Sequence, residues 1–410
     1  MGLNADVFKR NVVSKLVPLF CGLRDHRHRQ GRRYAFADVL RVLLSGVLSG
    51  QRHLRMVEDV GRRQGINLSD TQLWRILSGL SAKDLSEKLT EQIKSYWQGK
   101  VLSAADGHVA IDGKTIWVGK HCFSDALCQR MATDKTVRWR VQALRAASIA
   151  GSVRLTIGQQ LHQAGENDAS AFPAFFKDLV TQFGGTGLLK VVSVDAGFTS
   201  YANATLVNDA GIGYVMALKQ TQKVLFAEAR RLLGGRDTPQ VATAIEQYHG
   251  ANVRWLLFRT TAMAGYHDWA HLREVWRVHK EITAKDGTIT TEDHYYLTNM
   301  PTGSTKGLKP LTIVRGHWGI ENNSNCIMDL VYREDDCPWS SKAIGVVSLI
   351  RLIALNFTTT LKYRTCISSA MRQRTWSLFL KDFEHLFSRM PRSWLKQLLS
   401  SGKIEQACEA

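Results

Sequence analysis

Two apolar runs that each close on an aspartate restrict the fold of this chain more than any other feature. The run HVAIDGKTIWVGK (108–120) is broken by Asp112-Gly113-Lys114, and Leu188–Val194 ends on Asp195-Ala196-Gly197. Between them lie two strand-like runs, VRWRVQALRAASIAG (137–151) and SVRLTIGQQL (152–161), which read as a hairpin around Gly151. A helix over Ala169–Phe183 follows them. Past the second aspartate come a helix over Tyr201–Asp209 and a strand over Tyr214–Leu218 that ends at Lys219. The order β(Asp)–β–β–α–β(Asp)–α–β specifies a mixed α/β sheet. Such sheets gather ligands at strand ends, where both aspartates are expected.

A third carboxylate belongs to Val314–Asp336, VRGHWGIENNSNCIMDLVYREDD. Ile320, Ile327, Met328 and Val331 share one face of a helix there, and Glu321, Asn325 and Asp329 share another. Taken alone, Glu321 beside Arg315 and His317 is either a paired structural charge or a metal ligand. With Asp112 and Asp195 it could complete a site for two divalent cations about 4 Å apart, suited to phosphoryl transfer. Oxygen-only ligands favour Mg²⁺ or Mn²⁺ over Zn²⁺. The seven cysteines form no CxxC pair, and their odd number without a secretory signal points to reduced thiols in a cytosolic compartment.

The charge is unevenly placed. Of the formal net charge of +18, residues 1–105 carry +9 and residues 338–410 carry +7, while the middle keeps 23 of the 36 acids. That distribution suits a polyanion-binding protein whose central acids have another task. The sequence has no uninterrupted 18-residue apolar run, so nucleic acid is favoured over membrane as the partner. A two-carboxylate glycosidase is disfavoured, because neutral sugars need no basic field.

Residues 1–100 read as helices. Phe36–Ser49 is apolar, Met56–Arg63 stops near Gly65, and Ser69 or Asp70 caps a helix whose stripe is Leu73, Ile76, Leu77 and Leu80. With Thr71, Gln72 and Arg75 on its free face, this pair is either a helix-turn-helix or plain helical packing. Arg24, Arg27, Arg29, Arg32 and Arg33 lie within ten loop residues, as a phosphate contact or as a solvated charged loop. At the other end, Ala343–Leu361 reads as an apolar helix covering the sheet. Lys362, Arg364, Arg372, Arg374, Trp376, Arg392 and Trp394 follow it and suit DNA backbone binding or protomer contact.

The segments AIDGKT, GEND (165–168), VVSVDAGF, GYVMALK, HG (249–250), YYLTN (295–299), VRGHWGIEN, VYREDD and IRLIALN (350–356) resemble, in order, the H-repeat-associated insertion-sequence transposases. These are a bacterial branch of the DDE transposases. The N-terminal SGQRHLRMVEDVGRRQGINLSDTQLWRILS also looks like that family's opening domain, so the resemblance runs from roughly residue 36 to 385. Two departures stand out. Asn325-Cys326 replaces a usual His-Trp, and Ile116-Trp117-Val118 replaces a Leu-Arg-Gly-like run.

The resemblance implies an α/β, ribonuclease H-like mixed-sheet catalytic core with a β-rich insertion and a helical N-terminal DNA-binding region. The corresponding division is 1–105 for the DNA-binding region and 106–220 for the first part of the core. The insertion spans 221–310, the Glu helix and covering helix 311–361, and a basic C-terminal region 362–410. Candidate insertion strands are Val253–Thr260, Glu274–Ile282 and His294–Thr298. The implied catalytic and metal-binding residues are Asp112, Asp195 and Glu321, with two Mg²⁺ or Mn²⁺ ions. The implied partners are transposon ends and target DNA, bound by a homodimer, in the bacterial cytoplasm with the nucleoid.

Beside these, Arg315 and Lys219 are candidate phosphate clamps, with a carboxylate pair as the other reading of Arg315. Lys114 is expected in a tight turn, where it contacts the scissile strand or only its neighbours. His317 is either a helix-start packing residue or a catalytic one, and Trp318 either packs in the core or stacks on a base. Asp335 and Asp336 read as a solvated end, and Glu166 and Asp168 as rim residues near the active site. A DNA-binding regulator without catalysis and a structure-specific nuclease are the alternatives from other classes.

Overall fold

The computed structural model describes residues 11, 15–16, 19–20, 22–102, 107–119, 126–132, 137–149, 151, 153–235, 238–248, 250–301, 303–304, 309–337, 339, 341–365 and 372–389. Arg392 and Trp394 lie outside them.

From Phe36 onward four α-helices follow one another: α1 (Phe36–Leu48), α2 (Leu54–Arg63), α3 (Asp70–Gly79) and α4 (Ala82–Gln98). Gly65 follows α2 at φ +81°, a left-handed conformation that releases the chain from the helix at little steric cost. Ser69 caps α3 in a reciprocal capping box with Gln72, and Glu58 of α2 accepts from the Asp70 backbone N–H at 2.9 Å. The stripe Leu73, Ile76, Leu77 and Leu80 is buried.

Among the described residues ten strands form one sheet. They are β1 (His108–Val118), β2 (Cys128–Ala132), β3 (Val137–Ser148), β4 (Leu155–Leu161), β5 (Val191–Val194), β6 (Gly213–Leu218), β7 (Ala242–Tyr248), β8 (Ala251–Thr260), β9 (Glu274–Thr283) and β10 (Ile289–Thr298). Their order is β2-β3-β1-β5-β6-β10-β9-β8-β7, with β4 also on β3. β1, β5 and β6 are parallel to one another, and the other pairings are antiparallel. The helices α5 (Asp168–Phe183), between β4 and β5, and α6 (Tyr201–Asp209), between β5 and β6, make the crossovers that parallel strands require. After β6 comes α7 (Lys223–Leu233), and then β7–β10 return to the sheet through β10 on β6. The three strands expected after residue 221 are present as β8, β9 and β10. β7 was not foreseen, because its ATAIEQY is half polar.

The broken run at 108–120 is one unbroken strand. Asp112, Gly113 and Lys114 pair with Arg145, Leu144 and Ala143 of β3, and pairing continues to Val118. β5 accompanies β1 only from His108 to Ile111. Beyond that point the other edge of β1 is closed by Cys337 N–H to Trp117 O at 2.9 Å and Gly119 N–H to Trp339 O at 3.0 Å. Asp112 therefore stands mid-strand, not at a strand end, and Lys114 is not in a tight turn. What ends at Asp112 is the parallel pairing, whose last register is Ile111 with Val194.

The remaining helices are α8 (Lys309–His317), α9 (Cys326–Tyr332), α10 (Ser341–Thr360) and α11 (Trp376–Arg389). A π-helical turn, Ile320–Asn325, joins α8 to α9. The 23-residue helical stretch Lys342–Arg364, which contains most of α10, is long and apolar enough to cross a membrane, although no unbroken apolar run was expected. Arg351 interrupts it and is 1% exposed, stacked against Tyr332 and Trp339. The most apolar 18-residue window of the stretch is 94% buried within the fold, so the stretch is a core helix covering the sheet.

Candidate active site

Asp112, Asp195 and Glu321 converge, each with a carboxylate oxygen within 4.8 Å of the others. The sheet supplies the first two as neighbours, because each follows the last paired residue of β1 and β5. The third arrives on the π-helical turn, a wide coil found frequently at functional sites. Ile320, Ile327, Met328 and Val331 bury one side of this helical segment. Its other side lies along β1. Asn325 Nδ2 donates to Asp112 Oδ2 at 3.3 Å, and Asp329 takes the Lys114 ammonium at 2.6 Å on both oxygens. Glu321, Asn325 and Asp329 thus meet Asp112 and Lys114, two residues apart on one strand face.

The electrostatics separate the two aspartates. Burial pushes the Asp112 carboxyl up to about 7; the His317 ring pulls it down, and the Glu321 and Asp195 carboxylates raise it further. The His317 ring holds Asp195 below the usual carboxylate range, with Lys219 and His294 adding to the effect. Three like charges in one place are costly without a counter-ion, and an all-carboxylate oxygen set matches a hard divalent cation. The residues present therefore fit such an ion.

Behind Asp195 runs a buried polar chain. His108 Nε2 lies 2.7 Å from Ser193 Oγ, which lies 2.9 Å from His317 Nδ1, and His317 Nε2 stands 3.6 Å from Asp195 Oδ1. Burial pushes His108 down to about 3, so its ring is neutral. One arrangement consistent with these contacts has His108 donating to Ser193, Ser193 donating to His317 Nδ1, and His317 Nε2 facing Asp195. His317 closes α8 rather than starting a helix. Ser193 was visible as the one polar residue in an apolar strand, although its role was not read.

A second buried network backs Asp112. Arg145 is fully buried. It donates to Gln159 Oε1 at 2.8 Å, Asn325 Oδ1 at 3.0 Å, Glu334 Oε2 at 2.7 Å and Ser348 Oγ at 3.1 Å. Asn325, at one of the two departures from the family pattern, therefore links Arg145 to Asp112. Arg145, Asn325 and Glu334 were missed as site residues. A lone arginine facing into an apolar strand was the available signal. Asp335 and Asp336, in contrast, are exposed.

Asp168 begins α5 and lies against β1, where a Cβ at Gly113 would come within 2.3 Å of its Oδ2. Glycine allows that close approach beside Asp112. The Asp168 carboxyl is raised by burial and sits 3.4 Å from His162 Nε2. Glu166 instead accepts from the Gln163 backbone at 3.1 Å, away from the carboxylate cluster.

The remaining predicted residues divide into two groups. Lys219 is exposed just past β6. Arg315 pairs with Glu246 of β7, and Trp318 packs on Trp255 with centroids 5.5 Å apart, so both join α8 to the added strands. In the N-terminal part, Arg27 is bonded to Asp25 and to Tyr34 O, and Arg32 to Arg27 O and Asp25 O, so both hold the loop. Arg24, Arg29 and Arg33 are exposed, as are Thr71, Gln72 and Arg75. Gln72 is also occupied in capping α3. Loop and helix meet around a cavity of about 460 Å³ lined by His26, His28, Arg33, Tyr34, Gln72 and Arg75 among others.

Comparison with known proteins points to a family. The chain is similar to "H repeat-associated putative transposase YhhI" of Escherichia coli K12, 26% identical over 375 residues, covering 85% of this chain and 91% of that protein. Among solved structures, a piggyBac transposase synaptic complex with hairpin DNA covers 99% of this chain and 84% of its own, at a TM-score of 0.46 and 12% identity. Residues 103–357, which include all three converging carboxylates, match the family model described as "Transposase DDE domain". The chain belongs to the DDE-domain transposase family.

Proposed function

We propose that this transposase nicks DNA at the ends of its element and joins the freed 3′-OH to target DNA, with Asp112, Asp195 and Glu321 as the catalytic, metal-holding carboxylates. The observation that carries this reading is the convergence of three carboxylates within 4.8 Å from three separate elements of a DDE domain. The strand order β4-β3-β1-β5-β6, with helices before and after β5, supports a ribonuclease H-like core for residues 106–220 and 311–361. The helical region 1–105, the strands within 221–310 and the basic region 362–410 are read as its DNA-handling additions. The homodimer that pairs two ends belongs to the same proposal.

A pair of Mg²⁺ or Mn²⁺ ions held there would neutralise the phosphodiester and lower the pKa of the attacking hydroxyl. The chain's own groups do the rest. Asp112 and Asp195 face each other across the ends of paired strands, so their spacing is fixed by the sheet. His317, held by Ser193, keeps Asp195 ionised and correctly turned. In the first step the oxygen of water bonds to phosphorus, the bond from phosphorus to O3′ breaks, and a 3′-OH and a 5′-phosphate result. In the second, that 3′-OH bonds to a target phosphorus and the target O3′ leaves with the proton. Lys219, exposed beside Asp195, is a phosphate contact in this reading. So are Arg24, Arg29, Arg33, Thr71 and Arg75.

The test is cleavage of DNA carrying the element's own ends, in Mg²⁺, for the wild type beside Asp195→Ala. A 3′-OH nick that falls at least a thousandfold in the variant, with end binding retained, is the expected result; joining to a second duplex separates transposase from nuclease. End binding by the wild type with no cleavage in Mg²⁺ or Mn²⁺ would overturn the enzymatic reading in favour of a DNA-binding regulator.

A further inference from the structure

Behind the Glu321 turn lies a cavity that none of the roles above uses. Its volume is about 280 Å³, and its lining includes Arg154, Asn323, Ser324, Thr359, Tyr363 and Trp376. Arg154 precedes β4 and is half-buried, with its guanidinium nitrogens not sealed from solvent. Among the described residues it has no hydrogen bond and no ion pair, and the cavity lining contains no carboxylate. A half-buried guanidinium that faces a cavity with no carboxylate in its lining is free to take an anion, and charge-assisted hydrogen bonds make phosphate a fitting one. Burial accordingly pushes Arg154 below its ordinary value. Around it the cavity offers side-chain amide and hydroxyl groups and two aromatic rings. A second cation, Lys362, lies beside the cavity with its ammonium 4.6 Å from the Trp376 ring centroid. The volume, near the low end of the ~300–1,000 Å³ of small-ligand sites, suits one nucleotide unit and excludes a duplex.

The cavity is also wired to the carboxylates. Asn323 and Ser324 belong to the same π-helical turn as Glu321. Asn323 Nδ2 donates to Gly319 O at 2.9 Å, and the Ser324 hydroxyl bonds to that of Thr156. Arg154 lies against Gly319, where a Cβ would sit 2.6 Å from its Nη1. An occupant of the cavity therefore touches the later part of the turn that carries Glu321 directly, and its Gly319 end through Arg154.

We propose that this cavity receives one unpaired nucleotide of the bound DNA, with its phosphate on Arg154 and its base against Tyr363 and Trp376, and that its arrival sets the Glu321 turn. The proposal rests on the reading that the chain acts on DNA. The phosphate recognition is charge-assisted and the base contact tolerates any sequence, because every base has a stacking face. Glu321 is then held firmly only when a distorted DNA end is in place.

Two arms test it on the full-length chain. In the first, dAMP is titrated calorimetrically into the wild type, Arg154→Gln and Asp195→Ala. Arg154→Gln is expected to weaken dAMP at least tenfold while melting no lower than the wild type, since it breaks no ion pair or hydrogen bond among the described residues. Asp195→Ala is expected to bind dAMP as the wild type does, so this arm stands whether or not the carboxylates cleave DNA. In the second, 5-iododeoxyuridine is placed at successive positions of an end duplex and photo-crosslinked; Tyr363 or Trp376 is expected to crosslink at one position, and not in Arg154→Gln. Equal dAMP affinity in wild type and Arg154→Gln, or a lower melting temperature with unchanged binding, overturns the proposal and makes Arg154 a packing residue. Binding of dAMP with no crosslink at any position overturns the assignment to DNA and leaves a free nucleotide as the occupant.

Discussion

Asp112 and Asp195 are the same residue type a few ångströms apart, yet their surroundings drive them in opposite directions. Asp195 faces a histidine that a buried serine holds in place, and it stays ionised. Asp112 is more enclosed and feels two like charges, so it holds a proton up to about pH 7 when no cation is bound. The sign of the resulting pH dependence follows. A carboxyl whose folded pKa lies above its unfolded value favours the folded state when protonated. Its contribution is complete below about pH 4 and is lost as pH rises to about 7. In metal-free protein the melting temperature of the wild type, measured relative to Asp112→Asn, should therefore fall between pH 4 and pH 8. Millimolar Mg²⁺ should restore most of that loss at pH 8 and little at pH 5, because the ion competes with the proton for the same oxygens. A wild-type-minus-variant difference that is flat with pH would mean Asp112 is ionised throughout.

At the scale of elements, the site depends on one helical segment lying along one strand. Much of this was legible. The i, i+4, i+8 spacing put Glu321, Asn325 and Asp329 on a shared face, and that face does meet β1. The two apolar runs placed Asp112 and Asp195 at strand ends, which holds for Asp195 after β5 but not for Asp112 within β1. What was not legible has a physical cause in each case. Asp-Gly-Lys looks like a turn, but the pairing with β3 and the closure by Cys337 and Trp339 come from residues far away in sequence. The π-helical turn leaves no trace in apolar spacing, since Ile320 and Ile327 are buried as an ordinary helix would bury them. Arg145 is buried against Glu334, 189 residues onward, and no local pattern announces such a partner. That pair has a measurable consequence. Glu334→Gln leaves the buried guanidinium without its counter-charge, and removing one partner of a buried pair costs about 3–5 kcal/mol. Urea unfolding should show a loss of that size with an unchanged denaturant slope. A loss under about 1 kcal/mol would mean that Gln159, Asn325 and Ser348 satisfy Arg145 on their own.

Across the whole molecule, charge and chemistry occupy different places. The carboxylates sit in the middle of a chain segment that is close to neutral, while the two ends hold most of the excess of +18. Those ends are not equivalent in detail. In the N-terminal loop, Arg27 and Arg32 are committed to Asp25 and to backbone carbonyls, whereas Arg24, Arg29 and Arg33 are exposed. Arg33 and Arg75 also line one cavity, which brings loop and α3 onto a common surface. If that surface tracks a DNA backbone, the three exposed arginines release counter-ions and the two committed ones do not. Each phosphate contact contributes about 0.9 to the slope of log affinity against log salt. Replacing Arg24, Arg29 and Arg33 together by Gln should then reduce the slope for end DNA by about 2.7, so the affinity lost between 50 and 200 mM salt shrinks by roughly 40-fold. Arg27→Gln should leave the slope nearly unchanged and lower the melting temperature instead, because it frees Asp25 and Tyr34 O from their shared donor. An unchanged slope in the triple variant would assign the loop to solvent and move the DNA track elsewhere on the protein, with the basic residues after α10 the next to test.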